Sequence, residues 1–401
     1  MTMTLKRSSI AKFSLFAYFL LSPIYVFSSG LPQPSDYVAA IFLFPWVLFS
    51  LSRLPKFLKC IFKPYSWFVA WAFIVNLVYA FFLDAPDMLV RSAFYAFGML
   101  FCLGVAILSG LCKPENFFRL MQQLFALASF SALFFFIATW NLTVFRHTGS
   151  FNNPNQAAYF GLLITCLSII SAWGSGQWGI LLLSSVISSS LLVILAYSGG
   201  ALASQFLAIT GLSILLWTSK KVRLKVKYAI VFLVLLIYIS IPVAMTSDSP
   251  VINSVLHNWD RRSARLESKA ENIYEARGYE RITGYPEYLL LGSGEGQQWR
   301  FLERTSLSRT YEIHSTFGAI LFGYGIVGLT FVGLFMFRAM YSAPLGIWIV
   351  VASPMVYGIS HQGARQPLFW LIFVLVAIAA YTDKVRQAYN FNYSSAKSPL
   401  K

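Results

Sequence analysis

The stretch EIHSTFGAILFGYGIVG, residues 312–328, places one histidine, His314, at the start of a long uncharged segment. The apolar run continues to about residue 336. As a helix it is long enough to cross the roughly 30 Å of hydrocarbon in a membrane. A simple membrane anchor needs neither a histidine at its end nor glycines along its length. The stretch therefore predicts a membrane helix with a functional polar residue at its start.

Comparable apolar stretches recur along the 401-residue chain, of which 57% is hydrophobic and only 11% is charged. A soluble domain carries about 25% charged residues. The pattern predicts an all-α polytopic membrane protein with about twelve transmembrane helices. The predicted spans are residues 12–29, 35–52, 65–83, 92–111, 118–140, 156–173, 178–197, 201–218, 228–246, 315–336, 342–360 and 367–382.

Two short basic segments, RLPKFLKCIFK at 53–63 and SKKVRLKVK at 219–227, set the expected orientation. Short lysine- and arginine-rich loops stay on the cytoplasmic side, so both termini are expected there too. The chain then divides into helices one to nine, a large loop on the opposite, outer side that contains short helices, helices ten to twelve, and a cytoplasmic tail. The corresponding residues are 1–246, 247–314, 315–382 and 383–401.

The two faces of this predicted topology carry different cations, and together they give a net charge of +16. The cytoplasmic side holds thirteen lysines and six arginines, and the outer side holds eleven arginines and one lysine. Because the planar arginine fork binds two oxygens at once, it suits phosphate. The pattern favours a phosphate-bearing ligand at the outer face and argues against nucleic acid. The alternative is that lysine is simply the commoner orientation signal.

His314 is the candidate catalytic residue. In a regular helix His314, Gly318, Gly325 and Gly328 share an arc of roughly 80°. Glycines on that face let a neighbouring helix approach closely, so the histidine would point into the bundle. An imidazole with an ordinary pKa near 6.5 accepts a proton at neutral pH. The alternative is a polar residue that only marks the helix end.

Two further outer segments supply candidate binding residues. RHTGSFNNPNQAAYF, residues 146–160, contains Arg146, Asn153 and Asn155, whose donors suit sugar hydroxyls or phosphate. HQGARQ, residues 361–366, contains Arg365. The alternatives are a polar turn and an arginine that contacts lipid phosphates. No metal-ligand spacing occurs, so neither a metal nor another cofactor is expected. The span interiors hold almost no ionisable residues, which counts against a transporter.

Four motifs together resemble the O-antigen ligase and polymerase family. They are His314-Ser315 followed by Gly325-Ile326-Val327-Gly328, SFNNPNQAAYF, PEYLLLGSGEG and RQPLFW, and they span roughly residues 145–380. The resemblance implies a multi-pass protein of the bacterial inner membrane with residues 247–314 in the periplasm. One departure is Ser198-Gly199-Gly200, where many members carry Ser-Arg-Gly.

The resemblance also implies an activity. It would be a metal-independent, inverting glycosyltransferase whose donor is a glycan on undecaprenyl diphosphate. His314 would act as base or orienting partner for the acceptor hydroxyl, and Arg146, Arg277, Arg281 and Arg365 are the candidates for the diphosphate. The favoured expectation is a surface-polysaccharide polymerase that works with a chain-length regulator. The alternatives are a ligase that uses lipid A–core as acceptor and, further removed, a lipid-linked sugar transporter.

Overall fold

A computed structural model describes residues 2–28, 30–140, 147–219, 224, 227–228, 274, 277–303 and 312–396. Within these residues the regular secondary structure is helical, without strands. The helices in chain order are α1 (Thr2–Leu21), α2 (Pro34–Arg53), α3 (Lys56–Leu83), α4 (Met88–Leu111), α5 (Pro114–Ala138), α6 (Pro154–Ser175), α7 (Ile180–Leu195), α8 (Gly199–Thr218), α9 (Glu280–Gly284), α10 (Thr316–Met340), α11 (Leu345–Ser360) and α12 (Pro367–Ala396).

Eight of the described helices are long and apolar enough to cross a membrane, namely α2, α3, α4, α5, α6, α8, α10 and α12. Three shorter apolar helices, α1, α7 and α11, accompany them. The chain is therefore a multi-pass helical membrane protein, as its composition predicted. The predicted ninth span, residues 228–246, and most of the loop 247–314 lie outside the described residues. The count of twelve and the extent of that loop stay predictions.

Several helix boundaries differ from the predicted ones. Helix α3 begins at Lys56, inside the basic segment 53–63 that was expected to be a loop, and α1 begins at Thr2 and not at residue 12. The first helix ends at Leu21 and not at residue 29, because Pro23 follows and the residue before a proline avoids the helical conformation. The last helix continues to Ala396, through most of the segment 383–401 that was expected to be a tail. No glycine or proline interrupts residues 368–396, so nothing in the sequence stops this helix where the apolar run ends.

The most buried helices are α6 and α12, which lie against each other in the middle of the bundle. Helix α6 is apolar on all sides, and a helix of that kind is buried. A glycine, Gly161, lets the backbone of α7 approach, since a Cβ there would lie 2.8 Å from the carbonyl oxygen of Ser189. Hydroxyl pairs across the same contact, such as Thr165 with Ser189 at 2.7 Å, add interhelical hydrogen bonds.

Helix α2 changes direction at a π-helical turn, Ala39–Leu43. The residues before the turn, Pro34–Val38, pack mainly on α1, whereas Phe44–Ser50 after the turn packs on α4. Single π turns inside α-helices are rare and occur often at functional sites. The two halves of α2 therefore have different neighbours, and the first half separates from α4.

Helix α10 is broken at Gly325, whose φ of 68° and ψ of −175° are not helical. The prediction of one regular helix that carries His314, Gly318, Gly325 and Gly328 on a single arc is wrong at this point. Gly318 lies in the first half of α10 and Gly328 in the second. The break is about nine residues, or about 13 Å along the axis, from the start of the helix.

Candidate functional site: a charged cavity at one end of the bundle

A cavity of about 640 Å³ lies where the predicted outer loops meet. It collects the start of α2, the start of α4, the start of α6, the segment before α10 and the connection from α11 to α12. All of these fall on one face of the predicted topology. The acidic, basic and histidine side chains that line it, within the described residues, are Asp36, Arg91, Glu312, His314, His361 and Arg365.

A chain of ion pairs runs from inside the bundle to this cavity. Arg365 donates from Nε and Nη2 to Glu295 Oε2, at 3.1 and 2.7 Å, and from Nη1 to Glu312 Oε2 at 2.8 Å. The other oxygen of Glu312 lies 3.5 Å from Nη2 of Arg91. Two arginines and two carboxylates thus alternate in this series of ion pairs, and their charges balance.

The pKa values of Glu312 and Arg365 reflect this balance of charges. Burial by itself raises the pKa of the Glu312 carboxyl, but Arg365 and then Arg91 outweigh it and the pKa falls below its ordinary value. Burial likewise opposes the charge on Arg365, and the two carboxylates outweigh it and raise its pKa. Both groups are therefore ionised at neutral pH.

Glu295 reaches the bundle because the glycine-rich turn before it docks into the break of α10. The amides of Ser293 and Gly294 donate to the carbonyl oxygens of Phe322 and Gly323, at 2.9 and 2.8 Å. A broken membrane helix is tolerated when neighbouring groups satisfy the freed backbone atoms, and the turn supplies them here. The motifs PEYLLLGSGEG and GYGIVG are therefore two halves of one contact.

This docking requires glycine on both sides. Gly292 has a φ of 98°, and a Cβ on it would lie 2.3 Å from the carbonyl oxygen of Gly323. A Cβ on Gly325 would lie 2.2 Å from the carbonyl oxygen of Leu290. Both positions combine a left-handed backbone with contact to another backbone, so any other residue would force the two segments apart.

Side chains from α3 and α4 hold the tip of the turn. The amide of Glu295 donates to Asn76 Oδ1 at 2.8 Å, and the hydroxyl of Tyr95 donates to Glu295 Oε1 at 2.5 Å. Arg300 donates to the carbonyl oxygens of Ser293 and Gly296. The carboxylate of Glu295 is thus fixed on one side by a phenol and on the other by Arg365.

His314 lies at the edge of the cavity, two residues before α10 begins. Its amide donates to the carbonyl oxygen of Arg277 at 2.9 Å, and Ser315, the next residue, caps α10 by accepting from the Gly318 amide at 3.1 Å. Burial lowers the pKa of His314, the charges of Arg277 and Arg281 lower it further, and Glu312 opposes them. The imidazole is therefore neutral at pH 7 and available to accept a proton.

The start of α10 is tied to the segment that carries Arg365. Thr316 donates from its hydroxyl to the carbonyl oxygen of His361 at 3.0 Å and accepts from the Gly363 amide at 2.9 Å. This connection fixes the histidine and the arginine with respect to each other. The two residues come from different loops, and their common position follows from the packing of α10, α11 and α12.

The cavity brings together four of the predicted site residues: His314, Arg365, Asn153 and Asn155. Asn153 also caps α6, because its Oδ1 accepts from the Gln156 amide at 2.9 Å. The backbone oxygen of Asn155 accepts from the hydroxyl of Tyr357 at 3.1 Å. Both asparagines therefore shape the wall of the cavity as well as lining it.

Two of the other predicted arginines lie elsewhere. Arg277 and Arg281 are not among the described residues that line the cavity, although both are close enough to His314 to affect its pKa. Arg281 is fully buried and donates from Nη1 to Gln298 Oε1, while its Nε and Nη2 have no hydrogen-bond partner among the described residues. Arg146 lies outside the described residues.

The sequence reasoning missed three residues of the site: Arg91, Glu295 and Glu312. Arg91 could have been found, because it is an arginine on the predicted outer side at the end of an apolar span. Glu312 stands two residues before His314 and was read only as part of the loop. Glu295 was seen inside GSGEG, but no spacing rule shows that a loop carboxylate enters the bundle.

No protein-family model and no curated protein sequence matches the chain. Within the described residues, no three acidic, histidine or cysteine side chains lie close enough to hold a metal ion.

Proposed function

We propose that the chain is a glycosyltransferase of the bacterial inner membrane that acts, at the periplasmic face, on a glycan carried by undecaprenyl diphosphate. The observation that supports this most directly is that a neutral imidazole and two arginines share one cavity at the end of the bundle. The family resemblance of the motifs supplies the donor class and the inverting outcome.

Each residue has a role in the proposed reaction. His314 accepts the proton of an acceptor hydroxyl, or orients that hydroxyl, as its oxygen attacks the anomeric carbon of the donor. The new glycosidic bond forms as the bond from that carbon to the diphosphate oxygen breaks. The diphosphate leaves with the electron pair, and the arginines stabilise the negative charge that develops on it.

The two cavity arginines contribute unequally to binding and stabilising the diphosphate. Arg365 already donates to two carboxylates, so its charge is largely used inside the protein. Arg91 has a single ion pair in the described part of the chain, at 3.5 Å, and its side chain is 28% exposed. We therefore assign the main diphosphate contact to Arg91 and a positioning role to Arg365. Arg277, Arg281 and Arg146 remain candidates for the sugars or the diphosphate from the loop side.

The favoured acceptor is a second lipid-linked repeat unit, which makes the protein a surface-polysaccharide polymerase with a chain-length regulator as possible partner. The alternative acceptor is lipid A–core, which makes it a ligase. A deletion strain separates the two. Loss of a polymerase leaves core that bears a single repeat unit, and loss of a ligase leaves bare core with long chains on the carrier.

The central experiment replaces His314 by alanine and by glutamine in that strain and in purified protein. With alanine we expect the glycan ladder to disappear and transfer from the lipid-linked donor to fall by about 10²–10⁴-fold, at unchanged expression and melting temperature. Glutamine keeps a hydrogen-bonding group without a titratable nitrogen, so it separates orientation from proton transfer. An unchanged ladder in the alanine variant overturns the proposal.

A further inference from the structure

The cavity extends along one face of α4, and the side chains on that face form an apolar stripe. Val90, Ala93, Phe94 and Phe97 are spaced i, i+3, i+4 and i+7, so they share one face of the helix, and all four line the same cavity as Arg91. The opposite face of α4, with Ser92, Tyr95 and Gly98, is buried in the bundle. The stripe is open, since Val90 is 51% exposed.

The second wall of this opening is the segment before α2, where Leu31 and Pro32 line the cavity and Leu31 is 54% exposed. The first half of α2 adds Ser35 and Asp36, and the Asp36 carboxylate accepts from the Gln33 amide at 2.8 Å. Because α2 turns at Ala39–Leu43, its first half stays with α1 while its second half closes against α4, where Phe44 contacts Phe97 with ring centroids 4.9 Å apart. The π turn thus leaves a gap between α4 on one side and α1 with the first half of α2 on the other. The gap is open at the cavity and closed at the contact between Phe44 and Phe97.

We infer that this gap holds the first isoprene units of the carrier lipid, with its diphosphate at Arg91. The inference rests on the proposed function and adds the path of the lipid chain. A cation stands at the polar end of the stripe, and the stripe itself carries no polar side chain, which matches an ionic head followed by a hydrocarbon chain. The chain enters from the bilayer between α2 and α4 and does not pass through the bundle.

The experiment measures binding of undecaprenyl diphosphate, without sugar, to the purified full-length protein in nanodiscs. The variant Ala93→Trp fills the stripe, and Ala70→Trp is the matched control, an exposed alanine on α3 that does not line the cavity. Each methylene group of the lipid that loses its contact with the stripe weakens the binding free energy. We therefore expect Ala93→Trp to weaken binding by about tenfold or more and Ala70→Trp to leave it unchanged. If Ala93→Trp does not fold, Val90→Trp tests the same stripe.

Farnesyl diphosphate, which has the same head and a short chain, is the second probe. Arg91→Gln and Ala93→Trp are both expected to weaken binding of both diphosphates, because the farnesyl chain corresponds to the first isoprene units of the carrier. Equal binding by the Ala93→Trp and Ala70→Trp variants overturns the inference. Equal competition by phosphatidylglycerol also overturns it, because the gap would then be an ordinary lipid contact.

Binding of the bare carrier needs no glycosyl transfer. A protein whose binding responds to Ala93→Trp but which forms no glycosidic bond contradicts the proposed function and leaves the lipid path standing. A protein that transfers glycan equally well with either tryptophan variant contradicts the lipid path alone.

Discussion

Two groups of polar side chains in the described part of this bundle differ in charge; the first is buried, and the second ranges from the buried Glu295 to the partly exposed Arg91, Glu312 and Arg365. Between α6, α7 and α8 the polar groups are neutral: Gln205 donates to Thr165 and to Ser190, at 2.9 and 2.7 Å, and Ser168 pairs with Ser185 at 2.7 Å. At the cavity the groups are ions in alternating sign. The neutral group joins helices over their length, whereas the ionic group joins loops at one end.

The difference indicates what each group does. Neutral hydrogen bonds between membrane helices contribute modestly to association and need no special environment. Buried ions are costly to desolvate and stabilise the fold little, even when they are paired. An ion network kept beside a cavity is therefore better explained by binding and chemistry than by stability, and each variant below tests this division.

The largest effect is expected at His314. Replacement by alanine should lower the rate of glycan transfer by about 10²–10⁴-fold, the usual contribution of a positioned acid or base. The side chain lies at the cavity edge, so the melting temperature should change little. The measurement is single-turnover transfer with purified protein. A comparable fall in stability would instead place His314 with the structural residues.

Arg365→Ala should be the most destabilising change in the ionic group. It leaves Glu295 and Glu312 without their shared cation, and loss of one partner of a buried ion pair costs about 3–5 kcal/mol. The control is Arg338→Ala, which removes an exposed arginine that donates to the Cys60 carbonyl oxygen. Thermal unfolding in detergent compares the two. Equal melting temperatures would show that Arg365 does not hold the carboxylates.

Gly292→Ala should separate the glycine-rich turn from α10. The added methyl group meets the Gly323 backbone, and the left-handed φ adds strain, so we expect a loss of about 1–3 kcal/mol and of activity together. Gly333→Ala is the control, because a Cβ there meets nothing within 4 Å. In the Gly292→Ala variant, labelling of a cysteine introduced at position 295 would report whether the turn leaves the bundle. If that cysteine stayed protected from the label, the docking of the turn would be contradicted.

The pH dependence of transfer tests the electrostatics around His314. Because its folded pKa is lowered, the neutral form persists below pH 6.5, and the acid limb of the rate profile should lie below that value. Arg281→Gln removes a positive charge and should move the limb to higher pH. Glu312→Gln removes a negative charge and should move it to lower pH. Shifts of the same sign in both variants would exclude His314 as the titrating group.

The smallest effect is expected in the neutral group. Ser168→Ala removes one hydroxyl pair, and an interhelical hydrogen bond of this kind contributes about 0.6 kcal/mol on average. Transfer per folded molecule should be unchanged. A marked loss of activity without a loss of stability would mean that the two polar groups are coupled, and the division drawn above would fail.

Most of the helices could be predicted from the sequence, because apolar length alone determines them. His314, Arg365, Asn153 and Asn155 line one cavity, and the predicted alternation of loops across the membrane puts all four on the same face. The break at Gly325 could not be predicted, since it depends on a turn about thirty residues earlier that docks into it. The position of Glu295 could not be predicted for the same reason, whereas Arg91, an arginine on the predicted outer side at the end of an apolar span, could have been predicted.

The Arg365 side chain has a consequence for how the protein is made. It holds Glu295 and Glu312, which come from the segment before α10, but it belongs to the connection between α11 and α12. During synthesis both carboxylates therefore emerge before Arg365, and only Glu312 meets an earlier cation, Arg91. The site is assembled only when the final helix has entered the bilayer, so a prematurely terminated chain would reach the membrane without a working centre.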